Sequence, residues 1–239
     1  MKILVFDDSR VNRVSAKLSL EGHDLTIVGT YDEAQEALLS QTDHEQEGKN
    51  LSLLRMQVGL PEDFKYWDKE TSPEDKEKDR LCRKEASERA TTHPDFDVVL
   101  TDLLVPASKQ AQGREGMRFI GQEMPLGSTI ALLALTAGVK NVAVVTDMNH
   151  HHHPASAAFD CFRSNKAEGI NILCTNHVGS VAMDEATGEA VDRSFLDSAE
   201  GKAKFPFEGS NDWGPRQGLT WGKDWGRVLK QLLGEDEED

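Results

Sequence analysis

Apolar and polar positions alternate in blocks along this chain, and the blocks predict a sheet interleaved with helices. Five short apolar runs, each followed by polar residues, occupy positions 3–6, 25–28, 98–100, 142–145 and 170–174. Four of these runs are rich in valine and isoleucine, which favours strands buried on both faces of a parallel sheet. The intervening segments carry apolar residues at helical spacing. The pattern therefore predicts an α/β fold with right-handed crossovers and a doubly wound, five-stranded parallel sheet.

The segment 130–136 has two interpretations, a strand or a helix. A strand there would leave only about five residues before the run at 142–145, whereas a parallel crossover needs roughly ten or more. Ser128 is a suitable helix cap and Gly138 a suitable stop. We therefore expect a helix over 129–137 and the fourth strand at 142–146.

Two long segments exceed what a minimal five-stranded domain over 1–239 needs. The first is a charged helical insertion, 42–94, in which Ser72 and Pro73 predict the start of a solvated helix that runs to about Ala90.

The second long segment, 178–220, precedes the last helix. Within it, 181–183 and 189–191 flank turn residues in a hairpin pattern. A final helix is expected near 221–233, and 234–239 form an acidic tail.

The charge and hydropathy of the chain exclude some classes of function. A formal net charge of −15 disfavours nonspecific nucleic-acid binding, which needs a basic surface. No apolar run is long enough for a transmembrane helix, and the run after Lys2 is too short for a signal peptide. Cys82, Cys161 and Cys174 show no CxxC spacing, which indicates reduced thiols. We expect a cytoplasmic protein without a membrane partner.

The residues that follow the strands are the candidates for chemistry, because ligands of open parallel sheets bind at the carboxyl ends of the strands. Asp7 and Asp8 follow the first strand, and Asp102 follows the third. Three converging carboxylates repel one another unless a cation neutralises them. Hard oxygen ligands with room for water suit Mg²⁺ or Mn²⁺.

A second candidate set follows the fourth and fifth strands: Thr146, Asp147, Asn149, His150 and His177. Four consecutive histidines, 150–153, belong to this region. A mixture of histidine and aspartate can bind Zn²⁺, Mn²⁺ or Fe²⁺ and can transfer protons near neutral pH. Adjacent histidines point in different directions, so at most two of the four could share one ion.

Two stretches carry a family resemblance. The sequence KILVFDDSRVNR (2–13) resembles the opening of a response-regulator receiver domain, and DVVLTDLLVP (97–106) is similar to the third strand and phosphoacceptor region of that family. The resemblance implies a flavodoxin-like fold, Asp102 as the phosphoacceptor, and Asp7, Asp8 and the Leu104 carbonyl as further Mg²⁺ ligands. It also implies that Thr146 is the hydroxyl residue that binds the phosphoryl group.

The chain departs from the family after the fifth strand. Receivers have a lysine and a proline there, and the lysine pairs with the acceptor. By position these fall at Cys174 and Thr175, and Asn171 replaces the aromatic switch residue. The sequence therefore predicts a pocket that lacks its lysine and forms little stable phosphoaspartate.

Two functions follow from these observations. The first is an atypical receiver-like signalling or protein-interaction module with a divalent-cation pocket, whose partner is another protein or a histidine kinase. The alternative is a metal-dependent phosphohydrolase that uses Asp7, Asp8, Asp102, Asp147 and the histidines.

Overall fold

The computed structural model describes residues 1–68, 71–107, 121–146, 164–167, 169–175, 179–207 and 216–235. The chain divides into two compact units. The first comprises Met1–Leu38 and Asp95–Asp239, and the second comprises Leu39–Pro94. The second unit corresponds to the insertion expected over 42–94.

The strands of the described residues are, in chain order, β1 Lys2–Phe6, β2 Asp24–Val28, β3 Gln41–Thr42, β4 Thr91–Thr92, β5 Val98–Asp102, β6 Val105–Pro106, β7 Glu123–Met124, β8 Asn141–Val145, β9 Ser164–Ala167, β10 Ile170–Thr175, β11 Ser180–Asp184 and β12 Leu219–Lys223. The helices are α1 Arg10–Ser19, α2 Tyr31–Leu38, α3 His44–Gln57, α4 Pro73–Ala90, α5 Leu126–Thr136, α6 Arg193–Asp197, α7 Ala199–Lys204 and α8 Trp225–Leu233. Among these helices, none is both long and apolar enough to pass through a bilayer.

The main sheet has the order β2-β1-β5-β8-β10-β9. The first five strands are parallel, and β9 is an antiparallel edge strand on β10. This arrangement confirms the predicted α/β fold with a doubly wound, flavodoxin-like parallel sheet. The strand order reverses between β1 and β5, so the carboxyl ends of these two strands form the topological switch point where ligands of such sheets bind.

Alternating side chains of the central strands build a core on each face of the sheet. Leu4 and Phe6 of β1 pack on one face with α2 and α5. Ile3 and Val5 pack on the other face with α1 and α8, where the Trp225 ring is fully buried. The helix expected near 129–137 is therefore confirmed as α5. It begins earlier, at Leu126, because Pro125 occupies the cap position and the Ser128 hydroxyl donates to the Pro125 carbonyl.

The hairpin expected in the C-terminal region is present but short, whereas the expected start of the last helix is wrong. An antiparallel bridge joins Met183 to Ala190, with backbone hydrogen bonds from Asp184 to Glu189 and from Val191 to Ala182, and the longer partner of β11 is β12. The last helix begins at Trp225 instead of 221, because the Asp224 side chain caps it by accepting the backbone N–H of Arg227. Residues 219–223 are therefore a strand, and this changes where their side chains point.

The second unit is built on α3 and α4. The expected helix α4 is confirmed, with Ser72 as its cap, whereas α3 was not predicted. A small apolar core includes Leu54 and Cys82. The Asp79 carboxylate on α4 is completely buried and pairs with Arg55 and Arg83.

Candidate functional site

Three carboxylates converge at the switch point between β1 and β5. Asp7 and Asp8 directly follow β1, and Asp102 is the last residue of β5; one oxygen of each lies within 4.8 Å of the others. Asp7 is fully buried and Asp102 nearly so, whereas Asp8 is exposed to solvent. The structure thus brings together the acidic residues that the sequence analysis selected.

A lysine that the sequence analysis missed lies between two of these carboxylates. The Lys223 ammonium at the end of β12 is 2.8 Å from Asp7 Oδ2 and 2.8 Å from Asp102 Oδ1. Its side chain is only 3% exposed. The ammonium therefore forms two buried, charge-assisted hydrogen bonds.

The sequence predicted a pocket without a basic side chain, and this prediction is wrong. Cys174 and Thr175 do end the fifth parallel strand, as the sequence indicates. The chain then leaves the main sheet, forms β11 and returns along β12. Lys223 stands at the end of that return, one residue before the cap of α8. The ammonium beside the carboxylates is therefore supplied by a segment far from the fifth parallel strand in sequence.

The α1 helix holds β12 in this position. Asn12 Oδ1 accepts the backbone N–H of Lys223 at 3.1 Å, and the Asn12 Nδ2 donates to both carboxylate oxygens of Asp7, at 3.2 and 3.1 Å. The indole N–H of Trp225 donates to the Asn12 carbonyl at 3.0 Å. The backbone carbonyls of Asp7 and Asp8 in turn accept from the Arg13 guanidinium.

The formal charge of the site is such that it could hold one divalent cation. Burial raises the pKa of the Asp7 carboxyl, and the Lys223 ammonium and the Ser9 backbone N–H oppose this shift. With the three carboxylates ionised and Lys223 protonated, the formal charge of the cluster is −2. Oxygen ligands with this charge suit Mg²⁺ or Mn²⁺.

A cavity of about 380 Å³ opens onto the acidic cluster. Asp8 and Asp102 lie in its wall. The other lining residues include Asn12, Leu104, Glu123, Thr146, Thr220 and Trp221. Thr146 directly follows β8 and is nearly buried. The structure therefore places Leu104 and Thr146 on the same cavity as the carboxylates.

The remaining candidates, Asp147, Asn149, His150 and His177, lie outside the described residues, as do the other histidines of the run 150–153. The proposed second metal set therefore stays a prediction from the sequence.

Gly222 allows β12 to approach α1 closely. A Cβ at Gly222 would lie 2.6 Å from the Ser15 Cβ, so Gly222→Ala requires β12 or α1 to move. We expect Gly222→Ala to lower the free energy of unfolding by about 1–3 kcal/mol, measured by denaturant titration. The matched control is Gly48→Ala in α3, where a Cβ meets nothing within 4 Å and alanine is expected to stabilise by about 0.5–1 kcal/mol. Equal effects of the two substitutions would contradict the close contact.

The fold and the site define a doubly wound α/β protein whose switch point holds three carboxylates and one buried ammonium. The chain matches no protein-family model, no curated protein and no solved structure at a significant level.

Proposed function

We propose that this chain is an atypical receiver-like signalling module in which Asp102 accepts a phosphoryl group in the presence of Mg²⁺ or Mn²⁺. The observation that supports this most is the buried Lys223 ammonium, 2.8 Å from Asp102. It supplies the positive charge whose absence from the fifth strand was the main argument against phosphorylation.

The proposed transfer needs no redox partner and no external base. An oxygen of the ionised Asp102 carboxylate attacks phosphorus, and the bond from phosphorus to the donor breaks. The donor leaves with the bonding electron pair, and Asp102 becomes an acyl phosphate. Attack by water on the phosphorus then returns phosphate and the free carboxylate.

The residues around Asp102 fit distinct roles in this step. Asp7, Asp8, Asp102 and the Leu104 carbonyl would hold the divalent cation, which offsets the charge on the transferring oxygens. The Lys223 ammonium pairs with an oxygen of Asp102 before transfer and is placed to pair with the phosphoryl group afterwards. Thr146, on the same cavity, would donate its hydroxyl to that group.

A signalling role requires a phosphodonor, for which a histidine kinase or another phosphorylated protein is the proposed partner. The proposal also places the protein in the cytoplasm. The alternative, a phosphohydrolase, shares the same carboxylates and differs in that it turns over a phosphomonoester instead of storing the phosphoryl group.

Incubation with acetyl phosphate and Mg²⁺ tests the proposal. We expect mass spectrometry to locate one phosphoryl group on Asp102, and Asp102→Asn to abolish it. Asp8→Asn is expected to weaken Mg²⁺ binding about 10- to 100-fold, because it replaces a charged oxygen ligand by a neutral one. Asp95→Asn is the control, since this exposed carboxylate pairs with Lys2 in the same unit but away from the site.

Three outcomes would contradict the proposal. The wild-type chain could remain unmodified in both Mg²⁺ and Mn²⁺, Asp8→Asn could bind Mg²⁺ as the wild type does, or the modification could map to another residue. Steady turnover of a phosphomonoester such as p-nitrophenyl phosphate, lost in Asp102→Asn, would favour the phosphohydrolase instead.

A further inference from the structure

Asn12 lies between Asp7 and the backbone of Lys223, although it carries no charge and has no role in the proposed phosphoryl transfer. Asn12 lies in the first turn of α1 and is only 6% exposed. It is within hydrogen-bond distance of Asp7 on one side and of β12 on the other. A buried amide with both functions engaged is a specific arrangement, because each group has a definite donor or acceptor role.

The hydrogen bonds at Asn12 are ones that only an amide can make together. The NH₂ group donates to the Asp7 carboxylate, which when ionised only accepts. The carbonyl oxygen of the same side chain accepts the Lys223 backbone N–H. An aspartate at this position would lose the donor, and an alanine would lose both groups.

Neighbouring contacts fix the same part of the chain. The Ser15 hydroxyl oxygen lies 2.8 Å from the Lys223 carbonyl oxygen and 2.8 Å from the Asn12 carbonyl oxygen, so its single hydrogen can serve one of them at a time. The Lys223 N–H is therefore bound by Asn12, and the Lys223 carbonyl shares the Ser15 hydroxyl with the Asn12 carbonyl.

We propose that Asn12 is a positioning residue that fixes the Lys223 ammonium between Asp7 and Asp102. The lysine side chain has a flexible four-carbon stem, so the place of its ammonium depends on where its backbone is held and on the orientation of its acceptors. Asn12 holds the Lys223 backbone through its N–H, and it orients the Asp7 carboxylate that accepts from the ammonium. Its effect on phosphorylation rests on the proposed function, whereas its effect on the lysine does not.

The test compares three substitutions on α1 by two measurements. The first measurement is the ¹⁵N NMR signal of the Lys223 ammonium, and the second is the rate of Asp102 phosphorylation by acetyl phosphate with Mg²⁺. We expect Asn12→Ala to shift or broaden the ammonium signal and to lower the rate about 10- to 100-fold, as is typical when a residue that orients a site is removed. Ser15→Ala should have a smaller effect. Ser19→Ala, which removes only a hydrogen bond to the Ser15 carbonyl, should leave both measurements unchanged.

The isosteric variant Asn12→Asp keeps the inference testable if Asn12→Ala does not fold. It retains an acceptor for the Lys223 N–H but cannot donate to Asp7, and we expect the rate to fall by at least about tenfold. A folded Asn12 variant with a wild-type ammonium signal and a wild-type rate would overturn the inference and leave the proposed function intact. An unphosphorylated wild type would overturn the proposed function, and the ammonium signal of the Asn12 variants would still decide the inference.

Discussion

Replacing Lys223 by methionine is expected to lower the rate of Asp102 phosphorylation about 10- to 100-fold, since each charge-assisted hydrogen bond is worth on the order of 1.5–3 kcal/mol. Without divalent cations the same variant should lose about 3–5 kcal/mol of unfolding free energy, because the buried Asp7 carboxylate loses the ammonium that offsets its charge. Denaturant titration and the phosphorylation assay measure the two effects.

Magnesium should change the size of this loss. In Lys223→Met the cluster has a formal charge of −3 instead of −2, because the ammonium is gone, so a bound divalent cation offsets more repulsion. We therefore expect saturating Mg²⁺ to stabilise the variant more than the wild type. A loss that is identical with and without Mg²⁺ would indicate that Lys223 and the cation do not share a site.

Lys204 is a matched control for Lys223. Its ammonium lies 2.9 Å from the Asp184 carboxylate, but its side chain is 55% exposed. Because exposed ion pairs contribute only about 0–1 kcal/mol, Lys204→Met should change stability little and phosphorylation not at all. A comparable loss in both variants would show that any lysine-to-methionine change in this region disturbs the fold.

Asp79→Ala is expected to destabilise the second unit by about 3–5 kcal/mol. Asp79 Oδ1 accepts from the Arg55 guanidinium at 2.7 and 2.8 Å, and Oδ2 accepts from Arg83 at 2.7 Å. The Arg55 side chain is only 8% exposed, so removal of the carboxylate leaves a buried guanidinium without this partner. Faster hydrogen exchange of α3 and α4 amides would report the loss.

Glu77→Ala is the control for Asp79, because Glu77 lies on the same helix and pairs with Arg80 in an exposed position. We expect it to change the exchange rates of α3 and α4 very little. Equal protection in Asp79→Ala and Glu77→Ala would contradict the expected cost of leaving the Arg55 guanidinium buried without this carboxylate.

The sheet could be predicted from the sequence because its strands are short, apolar and separated by helical patterns. Local spacing also identified α5, since a strand at 130–136 would have left too few residues for a crossover. The three carboxylates were found for the same reason: each directly follows or ends a strand whose position was predicted correctly. Features that depend on the local order of residues along the chain could therefore be predicted.

Lys223 could not be found in this way, because its place depends on a pairing between distant segments. β12 pairs with β11, and this register joins Ser180 to Lys223. The apolar residues after 221 fit a helix, and the helical pattern was extended over a strand. Asp224 was the local signal that could have corrected this, since aspartate is a strong helix cap and separates Lys223 from α8.

The contact between Asp7 and Lys223 spans 216 positions of the chain. During synthesis the N-terminal half of the sheet emerges first, and the Lys223 ammonium can pair with its carboxylates only after β12 has been made. Contacts of this separation form late, because a long loop has to close before they stabilise anything. The ion pairs of Lys223 should therefore be among the last contacts of the site to form, after β1 and β5 have brought the carboxylates together.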